Sequence, residues 1–413
     1  MIYFIYNLSM NYPLNEKVTY IIKTLNNHGF EANIVGGCVR DILLSREPSD
    51  YDINTNATPE QVLEVFKDHK TFKTGLKHGT VFLVLDNESF EITTYRIDGN
   101  YIDYRRPETV KFSLNLKDDL NRRDFTINAL AYNNKDGLLD FNNGQEDLKN
   151  QLIRCIGNPY NRFEEDALRI LRAIRFASAL GFEIEKETQK AIFSKKHLLS
   201  NISIERIYIE LLKTLMGEYV SNVLPLYKEI LEIFIPEFKY VAKYKFIENL
   251  NYLSKEKKDT SIILAIFLQP VEEHTDVLKR LKVDNRTYRE VSFLIEHYYY
   301  LIEANNVDMR FSLNKMGKEM FIKLLKLQFY NEHIDQSYYK LCLSTLDYIK
   351  ENKLPYRLKD LAINGNDIKN FGFKDQEISQ QLNKVLSLVI KNKIINTKKE
   401  IYNYLTKIIL KSN

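Results

Sequence analysis

The run from Ile34 to Pro59, IVGGCVRDILLSREPSDYDINTNATP, constrains this chain more than any other part of it. It reads as a strand (32–35), a Gly36-Gly37 turn, a helix over 38–44 bearing Arg40 and Asp41, and a second strand over 50–53 bearing Asp50 and Asp52. Paired glycines let a backbone approach a triphosphate closely. Residues i and i+2 of a strand share a face, so Asp50 and Asp52 aim two carboxylates at one point. Hard divalent cations such as Mg²⁺ take oxygen ligands of this kind. A surface strand can carry two acids for solubility alone. Behind a glycine turn and Arg40, the pair reads instead as a metal seat beside a phosphate cradle, the layout of nucleotidyl-transfer chemistry. A third carboxylate would complete a two-metal site, and Glu91, in the apolar strand FEITTYR, is the candidate; its alternative is an ordinary solvent-facing glutamate.

Local signals divide the chain. Asn15 caps a helix over 15–28, and Thr58-Pro59-Glu60-Gln61 is a helix start with Pro at its first position and a capping box. VFLVL (81–85) and FEITTYR (90–96) read as strands paired around Asp86-Asn87. Beyond about residue 160, helical periodicity dominates. The expected fold is an α+β head followed by an all-α remainder, with joints near Asn158-Pro159, Pro225 and Leu354-Pro355.

Charge adds one asymmetry. Net charge is only +4, but from Pro355 onward eleven Lys or Arg stand against five Asp or Glu, so the rest of the chain is near −2. A basic C-terminal part favours a polyanionic partner, although a solvated lysine-rich face has the same composition. Cys38, Cys155 and Cys342 lie far apart with no C-x-x-C spacing, which argues against a disulfide framework or thiolate zinc site and fits a reducing cytosol. The start, MIYFIYNLSMNYP, lacks a basic n-region and does not read as a signal peptide. No run of 18 apolar residues offers a membrane span.

Two further blocks carry chemistry. In RRDFTINALAY (122–132), Arg123 suits a phosphate or ribose contact, while Asp124 precedes an apolar run and is open between ligand contact and helix capping. In RFEEDALRILRAIRFASALGF (162–182), a single helix would put Ala167, Ile170, Leu171, Ile174 and Ala177 on one face and Arg162, Glu165, Asp166, Arg169 and Arg172 on the other. Salt bridges on a solvated face would explain that pattern. Base chemistry gives a sharper reading. Cytosine and adenine both present an amine donor beside a ring-nitrogen acceptor, whereas guanine and uracil present a carbonyl beside a ring N–H. A carboxylate paired with a guanidinium therefore suits C and A and rejects G and U. Asp166 and Arg169, one turn apart, form such a pair.

With these blocks in view, a family resemblance is plain. GGCVRDILL with SDYDINTNATP, then RRDFTINALAY, DFNNGQEDL (140–148), EEDALRILRAIRFA and ISIERIYIEL (202–211) look like the successive signature blocks of class II tRNA nucleotidyltransferases, the CCA-adding enzymes of the DNA polymerase beta superfamily. They follow family order over about residues 32–212, roughly half the chain, and DLAINGNDIKNFG (360–372) resembles the family's tail. The resemblance implies a polymerase-beta-like head with a small mixed sheet (14–159), a helical neck that recognises the base (160–224), a helical body (225–353) and a tRNA-binding helical tail (354–413). Residue by residue, it implies Mg²⁺ at Asp50 and Asp52, triphosphate contacts from Gly37 and Arg40, and a sugar-phosphate contact from Arg123. Asp166 and Arg169 would read the base as a protein template, with Arg172 and Arg175 nearby, although Arg175 falls somewhat off the polar face of the helical wheel. Glu205 and Arg206 would be supporting residues.

The partners implied are tRNA, CTP and ATP in the cytoplasm, with no membrane; oligomeric state is not legible. Phe141 stands where the family usually has proline, and the tail lacks a glycine after Phe373. The segment RIDGNYIDYRRPETV (96–110) matches the family's mobile loop, which speaks against an enzyme that adds only C. Rival readings are an A-adding enzyme, a bacterial poly(A) polymerase and a catalytically dead RNA-binding scaffold. KTGLKHGTVFLVL (73–85) lacks the double basic step and F-x-L-x-H-V pattern of the poly(A) polymerases.

Overall fold

The computed structural model describes residues 12–75, 79–99, 101, 102, 106, 107, 110–240 and 259–412. The chain divides into two compact units, one of residues 1–242 with 280–282, the other of 243–279 with 283–413.

The first unit is built on a seven-stranded mixed sheet. Helix α1 (Glu16–Asn27) starts where the Asn15 side chain accepts from the Lys17 amide at 2.8 Å. Strand β1 (Ala32–Val35) leads into helix α2 (Gly37–Leu43) through Gly36 at φ +83°, a left-handed turn that glycine makes without strain. Strand β2 covers Asp52–Thr55. The expected span of 50–53 is thus displaced by two residues: Asp52 opens the strand, and Asp50 sits in the bend before it, where its Oδ1 accepts from the Ser49 hydroxyl at 3.0 Å. Ile53 and Asn54 carry the pairing because they face the buried interior, whereas Ser49 and Asp50 are exposed. The Thr58–Gln61 capping box opens helix α3 (Pro59–Val65).

Strands β3 (Lys70–Gly75), β4 (Thr80–Leu85) and β5 (Glu88–Thr94) follow, β4 and β5 joined by Asp86 and Asn87 at φ 47° and 67°. Positive φ at both positions marks a type I′ hairpin turn, which matches the twist of the strands it joins. An antiparallel ribbon of β6 (Arg96–Asp98) and β9 (Val110–Phe112), with the short pair β7 (Tyr101–Ile102) and β8 (Arg106–Pro107), covers the loop read as mobile; residues 100, 103–105, 108 and 109 of it lie outside the described residues. After helix α4 (Leu116–Asn121) come β10 (Leu130–Asn133), β11 (Gly137–Asp140) and helix α5 (Gly144–Lys149). The order across the sheet is β11-β10-β1-β2-β5-β4-β3, antiparallel throughout except β2 with β5. That parallel pair sets Asp52 directly beside Glu91.

Helices α6 (Pro159–Glu165), α7 (Leu168–Leu180), α8 (Lys186–Lys195) and α9 (Ile204–Leu215) follow, with short helical turns from Val220 to Tyr240 after them. The single helix expected over 162–182 is therefore two. Asp166 breaks it at φ −141°, ψ 102°, and its Oδ1 accepts from the Leu168 amide at 3.1 Å. The apolar periodicity continues through the break, but a short acid bonds nearby backbone more readily in extended conformation than inside a helix; Ala167, not Asp166, is the N-cap of α7.

The second unit is helical among the described residues. Its last part shares a core with helix Asn306–Met316: Val307 and Phe311 pack against the cluster of Ile368, Val385, Val389, Ile401 and Leu405. Arg310, 1% exposed, donates from Nη2 to the Ile390 carbonyl and to Asn392 Oδ1. Those acceptors lie at the C-terminal end of helix Gln376–Ile390, where a cation complements the helix dipole.

Candidate active site

A cleft of about 560 Å³ in the first unit is lined by Gly36, Gly37, Arg40, Asp50, Asp52, Arg123, Asp124, Asn128, Asp166, Arg169, Arg172, Arg175 and Phe176, with Arg96 and Arg122. Segments more than a hundred residues apart in sequence thus meet at one place. Of the residues read as metal- or nucleotide-binding in the sequence, Glu91 is not on its wall; it lies next to Asp52 across the β2–β5 pair, and the supporting Glu205 and Arg206 do not line the cleft either.

One wall is acidic. The Asp52 side chain is exposed at the start of β2, yet neighbouring protein crowds the carboxyl. Its pKa is pushed up to about 6, first by burial and then by Glu91, with Asp50 adding and Arg123 opposing. Glu91 Oε1 accepts only long hydrogen bonds, 3.5 Å each, from Thr80 and Thr93. No three His, Cys, Asp or Glu side chains among the described residues form a ready-made metal cage. Mg²⁺ does not need one: it keeps several waters and is held by one or two carboxylates together with substrate phosphates. Crowded acids with oxygen-only donors fit that ion.

The rest of the charged lining is mostly basic, a second wall, and Arg40, Arg122, Arg123, Arg169, Arg172 and Arg175 in it are each held by an acid. Arg40 donates to Asp41 Oδ1 at 2.8 and 2.9 Å and to Asn128 Oδ1 at 2.7 Å. Arg123 Nη2 lies 3.3 Å from Asp119 Oδ2, and its Nη1 would be 2.9 Å from a Cβ on Gly36. Gly36 is thus needed for the close approach of that guanidinium as well as for its positive φ. Arg172 donates from Nε to Asp124 Oδ2 at 2.7 Å, and Arg175 Nε lies 3.3 Å from Glu210 Oε2. Arg175 also sits 4.2 Å over the Phe176 ring, and Arg40 and Arg172 stand 5.3 and 5.4 Å from the same ring. Burial, and then the charge of Arg172, push Arg175 down to about 10. The helical wheel placed Arg175 off the polar face, but the cleft reaches it from the side.

Asp124 lines the cleft, and its Oδ1 accepts from the Phe125 amide at 2.8 Å. It is not a helix cap: the 3₁₀ turn Thr126–Asn128 has Phe125 at its N-cap and no capping side chain. Burial works to raise its pKa, but the charge and hydrogen bond of Arg172 outweigh it, and the carboxyl is held at about 2.

Asp166 and Arg169 stand where α6 and α7 meet. Arg206 Nη2 donates to Asp166 Oδ2 at 2.9 Å, so the residue read as supporting holds the carboxylate in place. Arg169, 7% exposed, donates to Glu165 Oε2 at 2.7 Å and to the carbonyls of Arg162 and Arg122 at 3.3 and 3.0 Å. The partners Asp119, Glu165, Glu210 and Asn128 were not picked out as site residues. Only two left a trace: Asp119 is four residues before Arg123 and Glu165 four before Arg169, the spacing of a helical ion pair.

Comparison with known proteins agrees along the chain. Residues 32–154 match the poly A polymerase head domain, residues 181–241 an RNA- and SrmB-binding region of polymerase A, and residues 253–405 tRNA nucleotidyltransferase domain 2. A CCA-adding enzyme of Oceanobacillus iheyensis is 36% identical over 404 residues, 93% of this chain and 95% of that one. One from Lactobacillus helveticus is 35% identical over 398 residues, 94% and 96% of the two chains. The crystal structure of the Bacillus stearothermophilus CCA-adding enzyme in complex with CTP superposes with a TM-score of 0.80 at 27% identity, covering 97% of this chain and 99% of that one.

Proposed function

The chain belongs to the CCA-adding enzymes, and from that premise we propose how its own residues divide the work of adding C, C and A to a tRNA 3′ end from CTP and ATP. The observation that carries the reading is the meeting of the two walls: crowded acids at Asp50 and Asp52 face arginines already fixed by buried partners.

Asp50 and Asp52, with Glu91 beside them, would hold Mg²⁺, whose chemistry there is to lower the pKa of the attacking 3′-hydroxyl and to neutralise charge on departing pyrophosphate. Arg40 and Arg123 face the triphosphate and sugar, next to a Gly36-Gly37 turn with no side chain in the way. Asp166 offers acceptor oxygens to the exocyclic amine of C or A; a carboxylate has about four lone-pair sites, and Leu168 and Arg206 occupy two. Arg169, its plane fixed by Glu165 and two carbonyls, donates to the ring nitrogen. Discrimination of about 1–3 kcal/mol would follow, by analogy with bidentate base contacts in DNA.

Within this reading, residues 14–159 serve as the catalytic head, 160–224 as the base-reading neck, 225–353 as the body and 354–413 as the tail that meets tRNA phosphates. The excess of +6 from Pro355 onward supports the last assignment. The cytosol is the setting that three free, buried cysteines fit, and no helix among the described residues is long and apolar enough to cross a membrane.

Sequencing the 3′ end of a tRNA transcript that stops at the discriminator base tests the proposal. With CTP, ATP and Mg²⁺ it should gain CCA and nothing more. A long A tract would indicate a poly(A) polymerase. Failure on that substrate with addition of A to a CC end would indicate an A-adding enzyme, and no incorporation at all an inactive scaffold.

A further inference from the structure

Asp119 lies in none of the motifs read from the sequence, yet its buried carboxylate joins three parts of the cleft. It sits on α4 with its side chain wholly buried. Oδ1 accepts from Arg122 at 2.8 Å (Nε) and 2.7 Å (Nη2). Oδ2 accepts from Arg123 Nη2 at 3.3 Å and from Asn54 Nδ2 at 3.1 Å. Asn54 is two residues along β2 from Asp52, and the Arg122 carbonyl in turn accepts from Arg169 at 3.0 Å.

We infer that Asp119 is a positioning residue for nucleotidyl transfer: it fixes Arg123 directly and Arg169 through the Arg122 turn, and it ties both to the strand that carries Asp52. The inference rests on the functional reading above. The Arg123 guanidinium uses the space that Gly36 leaves, where a Cβ would approach Nη1 to 2.9 Å, and its Nη2 meets Asp119 Oδ2 at 3.3 Å. Arg122 and Arg123 together outweigh the cost of burial and keep the Asp119 carboxyl below its ordinary pKa, so the acid is charged at neutral pH. A charged acceptor makes stronger hydrogen bonds than a neutral one, and a shell fixed by such bonds holds its reactive groups in register. The same helix begins at the foot of the β6–β9 ribbon, where Ser113 donates to Asp118 at 2.6 Å.

A buried acid can also be merely structural, and Asp147 supplies the control. It is 4% exposed, accepts from Thr126 at 2.7 Å and from Arg154 at 3.1 Å, and does not line the cleft. Full-length Asp119→Asn and Asp147→Asn should be compared in single-nucleotide incorporation on a tRNA ending at the discriminator. Asp119→Asn should raise the KM for CTP about tenfold and cut the preference for CTP over UTP by about the same factor, leaving the KM for tRNA within about twofold. Asp147→Asn should lower Tm without moving either nucleotide quantity. In an Arg123→Ala background, Asp119→Asn should raise the CTP KM by less than about threefold, because the effect acts largely through that side chain. Asn54→Ala keeps both charges, and should give a change of about threefold in the same direction if Asp119→Asn does not fold. Unchanged CTP KM and base preference in both Asp119→Asn and Asn54→Ala, an equal shift in Asp147→Asn, or full additivity with Arg123→Ala would each overturn the inference. A wild-type chain that incorporates nothing would instead overturn the functional reading beneath it.

Discussion

The two walls of the cleft are built on opposite principles. On the arginine wall, Arg40, Arg123, Arg169, Arg172 and Arg175 each meet an acid held by the fold: Asp41, Asp119, Glu165, Asp124 and Glu210. On the carboxylate wall, burial first and then the like charges of Glu91 and Asp50 push the Asp52 pKa up to about 6, against the opposing pull of Arg123. One wall is paired within the fold; the other, on the reading proposed above, is completed by a cation. Perturbed acids of this kind cluster at functional sites, which is what motivates that reading.

Breaking the carboxylate wall should have the largest effect. Asp52→Ala should reduce transfer of both C and A by on the order of 10³-fold or more, as expected from losing several kcal/mol of metal stabilisation. Binding of tRNA should change little, since in the proposed reading the carboxylates hold ions rather than RNA. Filter binding alongside incorporation separates the two, and substantial Mg²⁺-dependent activity in the variant would remove Asp52 from the metal site.

Reversing the arginine wall should change selectivity more than rate constants for binding. Asp166→Arg with Arg169→Asp presents the opposite hydrogen-bonding sense, but an arginine at 166 would then face Arg206. Adding Arg206→Gln relieves that repulsion. The triple variant should prefer UTP and GTP by on the order of tenfold, at a reduced overall rate. Retained preference for CTP and ATP in competition assays would place base reading elsewhere.

A smaller effect separates the walls by pH. Asp124 drops from an ordinary 3.8 to about 2 in the folded chain, so its contribution to stability is present above pH 4 and is lost as pH falls through about 2. That contribution is about 2 kcal/mol. Asp124→Asn should therefore be less stable than wild type at pH 6, with the gap narrowing as acid is added. Asp52 runs the other way. Its raised pKa means that the ion-free head is more stable below pH 4 and loses that advantage as pH rises through about 6. Denaturant titrations across pH would show one gap closing and, for Asp52→Asn, another opening in favour of the variant. Parallel curves would mean that neither group is perturbed as described.

Sequence reading reached the walls unevenly, for physical reasons. Gly36-Gly37 and the Thr58 box are local signals, fixed by spacing of one to three residues, and they were legible; the strand-face argument for Asp50 and Asp52 was not, because the strand opens only at Asp52. Partners brought together by the fold were not: Asp124 meets Arg172 across 48 residues, and Arg40 meets Asn128 across 88. The break at Asp166 was hidden because the apolar stripe carries on from Phe163 to Ala167 and Ile170, all buried, as though one helix continued. The lysine excess of the tail was visible as composition, but the core it shares with Val307 and Phe311 was not. That shared core means that cutting the chain after Lys353 would expose an apolar face and leave Arg310 buried without its helix end.

Equilibrium titration of CTP, once with EDTA and once with Mg²⁺, tests the division between the walls most directly. If the arginine wall is complete on its own, CTP should bind with affinities within about threefold of each other in the two conditions, under 1 kcal/mol apart, while incorporation occurs only with the metal. Asp52→Ala should bind CTP like the wild type. Binding that vanishes in EDTA, or in Asp52→Ala, would contradict the account and show that the metal builds the nucleotide site rather than completing it.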